Sequence, residues 1–427
     1  MFSRHLFLLL GIASNALAIT NGRWVDTWTS MPQLTEPANL PPPPFNASTS
    51  VFFNSTIRQT LHMSIGGDEI RLRFSNAFGV NDLQITAATV ALPVDGAAGT
   101  SAIITSTLQT LTFSGSPTFT IPNGALVVSD PIKFAIKPQS MLAVTLYLAQ
   151  GQQGSAITSH PGSRTTSWIS FGNFVMAANL TDSSTTSLAH WYFVSAVETW
   201  TTSASAFVIV GDSITDGRGS DTDKNNRWPD LVLTRMQQNS ATAQISVNNQ
   251  AAGGNRILAD GLGPNAIGRI DRDVLAQSGV KYAMIFEGVN DIGVADATVT
   301  AQKDIGDRVI AAYKQIITRL HTAGIPIFAA TITPFNAPAN ESSIQPYSNL
   351  IREATRQRVN AWIRTSGMFD AVIDFDKVVA DPAIPSQLNP LFNSGDFLHP
   401  NVAGYQAIAA DFPLGVFNQF SAGVSRR

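Results

Sequence analysis

The run Phe207-Val208-Ile209-Val210-Gly211-Asp212-Ser213-Ile214-Thr215-Asp216-Gly217 sets the architecture of this chain. Four apolar, mostly β-branched residues lead into a turn that carries a serine, and a polar, helix-compatible segment follows. Such a run reads as a buried strand ending in a tight turn. In an α/β sheet that turn lies at the carboxyl edge of the strands, where ligands bind, so position alone makes Ser213 a candidate nucleophile. The plainer alternative is a Ser/Asp pair capping the next helix, and an isolated Gly-Asp-Ser favours it.

Downstream of Phe207 the sequence alternates between strand and helix patterns. Strands are expected at 207–210, 245–248, 283–286, 325–332 and 371–375. The clearest helix, 307–323, carries Val309, Tyr313, Ile316, Ile317 and Leu320 on one face, with Gly324 where a C-cap belongs. A second helix is expected over 348–365. This alternation implies a three-layer α/β/α domain with a mainly parallel five-stranded sheet.

Upstream the period is two. Ile57, Leu61, Met63 and Ile65 alternate with polar residues, Gly66-Gly67-Asp68 makes a turn, and Ile70, Leu72 and Phe74 alternate again. The pattern predicts a β-hairpin with one wet face. Similar runs at 119–121, 132–136 and 142–148, punctuated by Gly, Pro, Asn and Asp, imply an all-β sandwich or jelly-roll-like domain. The expected boundaries are 19–200 for this domain, 201–205 for a linker and 206–427 for the α/β domain.

Composition narrows the function. Hydrophobic residues make up 44% of the 427 and charged residues 13%, as suits a folded globular chain. A formal charge of −3 provides no basic field for nucleic acid or anionic membrane. Residues 1–18 have a charged start, a short apolar run at 6–12 and Ala16-Leu17-Ala18, the pattern of a secretory signal peptide. Sequons at Asn46, Asn54, Asn179 and Asn340 fit a glycosylated, extracellular protein. The chain contains no cysteine, so no disulfide stabilises it, and no His/Cys/carboxylate spacing suggests a zinc site. Neither a metal nor a cofactor is expected.

Three further strand ends change the standing of Ser213. Near the C-terminus, Asp396-Phe397-Leu398-His399 precedes a helix over 403–410. On one helical turn the Asp and His would share a face, and the Asp would orient the imidazole toward a serine. A helix-capping Asp beside a surface His is the bland alternative. After the second strand, the loop 249–256 contains Gly253-Gly254 and can present a backbone N–H. After the third, Gly288-Val289-Asn290-Asp291 offers the Asn290 amide. Acyl transfer needs such donors around a developing oxyanion, although each loop alone is ordinary turn chemistry. The Arg269–Asp273 cluster reads as a solvated helix face with ion pairs. His160 and His190 lie in the β domain, where a structural role is favoured over the alternative of a contact with substrate.

Taken together, Gly-Asp-Ser-Ile, Gly-x-Asn-Asp and Asp-x-x-His in this order resemble the SGNH/GDSL hydrolases, a superfamily of serine esterases with a flavodoxin-like fold. The resemblance covers roughly 206–420 and departs only conservatively, with Ile214 in place of Leu. It implies Ser213 as nucleophile, His399 as general base and then acid, and Asp396 as the orienting carboxylate. It also implies an oxyanion hole made of the Ser213 N–H, the Gly254 N–H and the Asn290 amide. Gly253 is adjacent, and Gly254 is preferred because Asn255-Arg256 follow it. The implied substrate is a carboxylic ester, with short acyl or acetyl esters, including those on polysaccharide, favoured. The alternatives are a lipase for longer acyl chains and a carbohydrate-binding protein without catalysis.

Overall fold

The computed structural model describes residues 21–47, 49–341 and 344–424. The expected signal peptide at 1–18 lies outside the described residues.

The strand Ser205–Gly211 lies second from one edge of a five-stranded parallel sheet. Every one of its residues is buried, as its apolar run requires. Beside it on one edge lies Ile245–Ala251, and on the other side follow Val280–Phe286, Ile327–Ala330 and Ala371–Ile373. In chain order the strands are arranged 2-1-3-4-5, the flavodoxin-like order, which places a switch point beside the first strand. Helices Val299–Thr322 and Leu350–Thr365 pack together, as do Trp228–Gln237 and Val402–Asp411. The expected three-layer α/β/α architecture is what forms.

The upstream region is antiparallel and all-β. Six strands in the order Thr186–Leu188, Ser167–Phe171, Ser55–His62, Met141–Leu148, Ala87–Ala91 and Gln109–Thr110 make one sheet. Arg23–Thr29, Val194–Thr201, Gly67–Ser75 and Ile132–Ile136 lie side by side in the other. Ile57 and Val144 from the first sheet share a core with Leu72 and Val197 from the second.

The expected hairpin over 57–75 does not form. Its two strands pair with different partners, so the Gly66-Gly67 turn crosses between sheets. The wet face survives on the second strand, where Asp68, Glu69 and Arg71 are exposed or partly so, but not on the first, because Arg58 is fully buried beneath the loops around Ser101 and Phe174. Its guanidinium donates to the Ser101 carbonyl at 2.6 Å and to the Ala177 carbonyl at 2.9 Å. Polar alternation marked the first strand correctly, but it could not reveal that both its faces are covered.

The connection between the two regions is shorter than the expected 201–205. Thr201 still pairs with Arg23, and Ser205 already pairs with Ile245, which leaves only residues 202–204 between strands. The seam beyond it is polar and buried. Ser64 donates its hydroxyl to the Val247 carbonyl at 2.8 Å, and the Asp26 carboxylate accepts the Ser278 N–H at 2.8 Å.

Candidate active site

Ser213 is separated by one residue, Asp212, from the strand Ser205–Gly211 and begins the short helix Ser213–Asp216. Asp212 caps that helix by accepting the Ile214 N–H at 2.9 Å. Burial, opposed by that hydrogen bond and helped by Asp291 and Asp216, pushes the Asp212 carboxyl up to about 7. The Ser213 hydroxyl lies 2.7 Å from His399 Nε2, and His399 Nδ1 lies 2.6 Å from an Asp396 carboxylate oxygen. The three residues meet at one point although 186 residues separate the first pair.

Asp396 and His399 do not occupy the helical turn expected of them. Residues 396–399 form a bend ahead of the helix Val402–Asp411, and Phe397 has a left-handed φ of 59°. Asp396 holds this bend itself, because one carboxylate oxygen accepts the Leu398 N–H at 3.0 Å and the His399 N–H at 2.9 Å. Its other oxygen remains for the imidazole. Burial opposes ionisation of Asp396, but the His399 hydrogen bond and charge with these N–H bonds outweigh it and hold the carboxyl far below its ordinary range. An ionised Asp396 leaves the proton on His399 Nδ1 and makes Nε2 the acceptor for the serine. Burial, reinforced by Arg218 and Arg164 and opposed by Asp396, lowers the His399 pKa below its ordinary 6.5.

The two adjacent glycines play different parts. Gly253 donates its N–H to an Asp216 carboxylate oxygen at 3.0 Å, so that donor is occupied. The Gly254 N–H has no acceptor among the described residues. Gly254 also needs to be glycine: its φ is +71°, and a Cβ there would run into the Leu262 side chain. Asn290 stands across the same cavity, which has a volume of about 580 Å³ and is also lined by Ser213, Gly254 and His399. Its amide donates to the Asn255 carbonyl at 2.9 Å and accepts from the Tyr347 hydroxyl at 3.0 Å. One amide N–H is therefore left for a ligand.

The sequence of residues 209–407 matches the model of the GDSL-like lipase/acylhydrolase family. This part of the chain is a GDSL-like domain. Solved structures similar to it include an acetyl xylan esterase from Geobacillus stearothermophilus, at 20% identity and a TM-score of 0.36, over 53% of this chain and 98% of that one. A GDSL-like lipase from Bacteroides thetaiotaomicron is similar at 15% identity and a TM-score of 0.34, over 50% of this chain and 88% of that one. Comparison with curated proteins gives no match.

The contact by which the β region reaches the GDSL-like domain's cavity was not legible in the sequence. Asp216 lies one helical turn after Ser213, and its second oxygen is 2.9 Å from Nε2 of His160, a buried residue of the β region. His160 Nδ1 faces the Met31 carbonyl at 3.0 Å, which can only accept, so Nδ1 carries a proton. Gly162 passes so close that a Cβ there would overlap the Asp216 carboxylate. The spacing of Ser213 and Asp216 was the one available signal, since residues three apart share a helix face.

The Arg269–Asp273 cluster is a correction. It is buried rather than solvated, with Arg269 at 2% and Asp273 at 0% exposure. Arg269 donates to the Gln250 carbonyl at 2.5 Å, to Asn255 at 2.9 Å and to Glu287 at 3.3 Å. One planar guanidinium thus ties together the ends of two strands and the loop carrying Gly254. An i, i+4 Arg/Asp pair looks the same in sequence whether water or a sheet edge faces it. Asp291 supports the same loop by accepting the Ile257 and Leu258 N–H groups at 2.8 and 3.0 Å, and burial, opposed by these bonds, raises its pKa to about 6.

Proposed function

We propose that this chain is a secreted serine esterase that cleaves carboxylic esters through an acyl-enzyme. The observation that carries the reading is the unbroken relay from Ser213 through His399 to Asp396, at 2.7 and 2.6 Å, beside the free Gly254 N–H. His399 Nε2 takes the Ser213 proton as Oγ attacks the ester carbonyl. The oxyanion that forms is held by the N–H groups of Ser213 and Gly254 and by the Asn290 amide. The C–O bond breaks as His399 returns the proton to the leaving alcohol, and water then releases the acid by the same steps in reverse order. Secretion rests on the leader pattern in residues 1–18 and the four sequons.

Short acyl esters, acetyl groups on polysaccharide among them, are the favoured substrates. Gln33, Asn39, His190 and Gln345 line the cavity with groups that suit hydroxyl-rich alcohols. The test is hydrolysis of p-nitrophenyl acetate and longer p-nitrophenyl esters by the wild type and Ser213→Ala. The expected loss in kcat for the variant is at least ~10³-fold. Equal turnover by the two proteins at every acyl length would sink the reading.

A further inference from the structure

The loop that follows the strand Thr158–His160 carries a guanidinium with no partner among the described residues. Arg164 sits in it with a left-handed φ of 50°. The GDSL-like domain holds the loop in place. The Asp223 N–H donates to the Arg164 carbonyl at 3.0 Å, and the Asp223 carboxylate accepts the N–H and the hydroxyl of Thr166, both at 2.7 Å. The side chain so presented lines the cavity that holds Ser213 and His399.

Arg164 Nε is buried without an acceptor, and among the described residues nothing hydrogen-bonds or ion-pairs with its guanidinium. The cavity's own carboxylates are engaged elsewhere. Asp396 meets His399, Asp216 meets His160 and Gly253, and Glu36 accepts amide protons from Gln33 and Asn39. Arg218 adds a second guanidinium, with Nε 3.8 Å from an Asp396 oxygen. An arginine is always charged, and a buried donor without an acceptor is unfavourable, so the arrangement suits a site completed by an anion.

We propose that Arg164, assisted by Arg218, is a carboxylate subsite for the alcohol portion of the substrate, which makes the substrate class an ester of a uronate-bearing saccharide. The side of the substrate follows from the position of His399. Arg218 stands against Asp396, the carboxylate that holds the imidazole returning the proton to the leaving alcohol, and Arg164 lines the same cavity, whereas the acyl oxygen faces Gly254 and Asn290. A planar guanidinium matches a carboxylate with two parallel hydrogen bonds. The inference rests on the esterase reading for the placement of the scissile bond.

The test compares acetylated polygalacturonate with the same polymer after methyl esterification of its carboxylates, so that acetyl group and backbone are constant. Acetate release by the wild type at low ionic strength is expected to show a kcat/KM about tenfold or more higher on the free acid, the scale of one charge-assisted hydrogen-bond pair. The ratio should fall toward one in Arg164→Gln, survive in part in Arg164→Lys, and shrink in high salt. Arg308→Gln, on an exposed helix face, should keep the wild-type ratio. A wild-type ratio near one, or an unaltered ratio in Arg164→Gln, overturns the subsite. A separate arm measures binding of oligogalacturonate and its methyl ester to Ser213→Ala by calorimetry. If the wild type cleaves no ester at all, the esterase reading fails, and this arm still decides the subsite: equal binding of the two ligands rejects it.

Discussion

The two regions of this molecule are built alike in energetic terms and differ in what they give the cavity. Each has its own apolar core, around Ile57, Leu72 and Val144 in the sandwich and around Val208, Met284 and Phe328 under the parallel sheet. Among the described residues a small apolar cluster of Val25, Ile65, Ala204 and Ala206 bridges them, and hydrogen bonds such as that from Ser64 to Val247 cross the same seam. The parallel sheet supplies every motif residue. The sandwich carries no motif, yet it places His160, Gly162 and Arg164 against the residues that surround Ser213. A region without catalytic signatures can therefore still shape a site, through the side chains it packs against it.

The sharpest way to test the parallel-sheet half of that contrast is its pair of glycines. Gly254→Ala introduces a side chain at a left-handed φ and against Leu262, so the oxyanion loop must move. Loss of one oxyanion donor typically costs 10²–10³ in kcat, and a fall of about that size is expected with p-nitrophenyl acetate. Gly253→Ala has open space and an ordinary φ, and should lose less than about tenfold if its N–H remains on Asp216. The reverse order of effects would move the donor assignment to Gly253.

The sandwich half is tested by His160→Ala. It leaves the buried Asp216 without its imidazole partner and frees the Gly253-Gly254 loop to shift. A misplacement of 1 Å can cost about 100-fold, so a fall in kcat of about 10- to 100-fold is expected, with KM changed by less than about threefold. Unfolding should also become easier by about 1–3 kcal/mol, the penalty for a buried group left unsatisfied. Unchanged kcat together with lower stability would reduce the sandwich to a scaffold.

What could be read in the sequence follows the same division. Ser213, Asn290, Asp396 and His399 were visible because each sits in a short motif after a strand or before a helix, and a parallel sheet brings such ends to one edge. The sandwich strands were visible through period two, but their pairing was not: Arg58 alternates like a surface residue and is buried. His160 meets Asp216 across 56 residues, and Tyr347 meets Asn290 across 57, with no spacing rule that connects them. Contacts between residues far apart in the chain, whether across the two regions or within one, leave no local pattern. The Arg269 hub was missed for a related reason, since periodicity does not say what lies opposite a charged face.

Tyr347→Phe has a smaller expected effect. The tyrosine hydroxyl fixes the Asn290 amide, and burial, chiefly, raises its pKa, so it remains a proton donor at neutral pH. Without it the Asn290 oxygen loses its donor and the amide can rotate. A fall of about 3- to 10-fold in kcat is expected, in line with one neutral hydrogen bond. Asn290→Ala in the Tyr347→Phe background should then cost less than in the wild type, because the two residues act through one group.

The finest test asks which wall of the cavity sets the field on His399. Only the neutral imidazole can accept the Ser213 proton, and its pKa lies below 6.5, so kcat/KM should hold its plateau to below pH 6.5 before falling with acid. Burial is the main cause, Asp396 opposes it, and Arg218 and then Arg164 add to the lowering. Removing either positive charge stabilises the imidazolium, so the acid limb should move toward higher pH in Arg218→Gln and in Arg164→Gln. The shift should be larger for Arg218, which belongs to the GDSL-like domain, than for Arg164, which belongs to the sandwich. Salt separates the two further. Arg218 is 62% exposed and its influence should fade as ionic strength rises, whereas the more buried Arg164 should keep more of its effect. An acid limb that stays in place in both variants would mean that neither guanidinium sets the field on the imidazole.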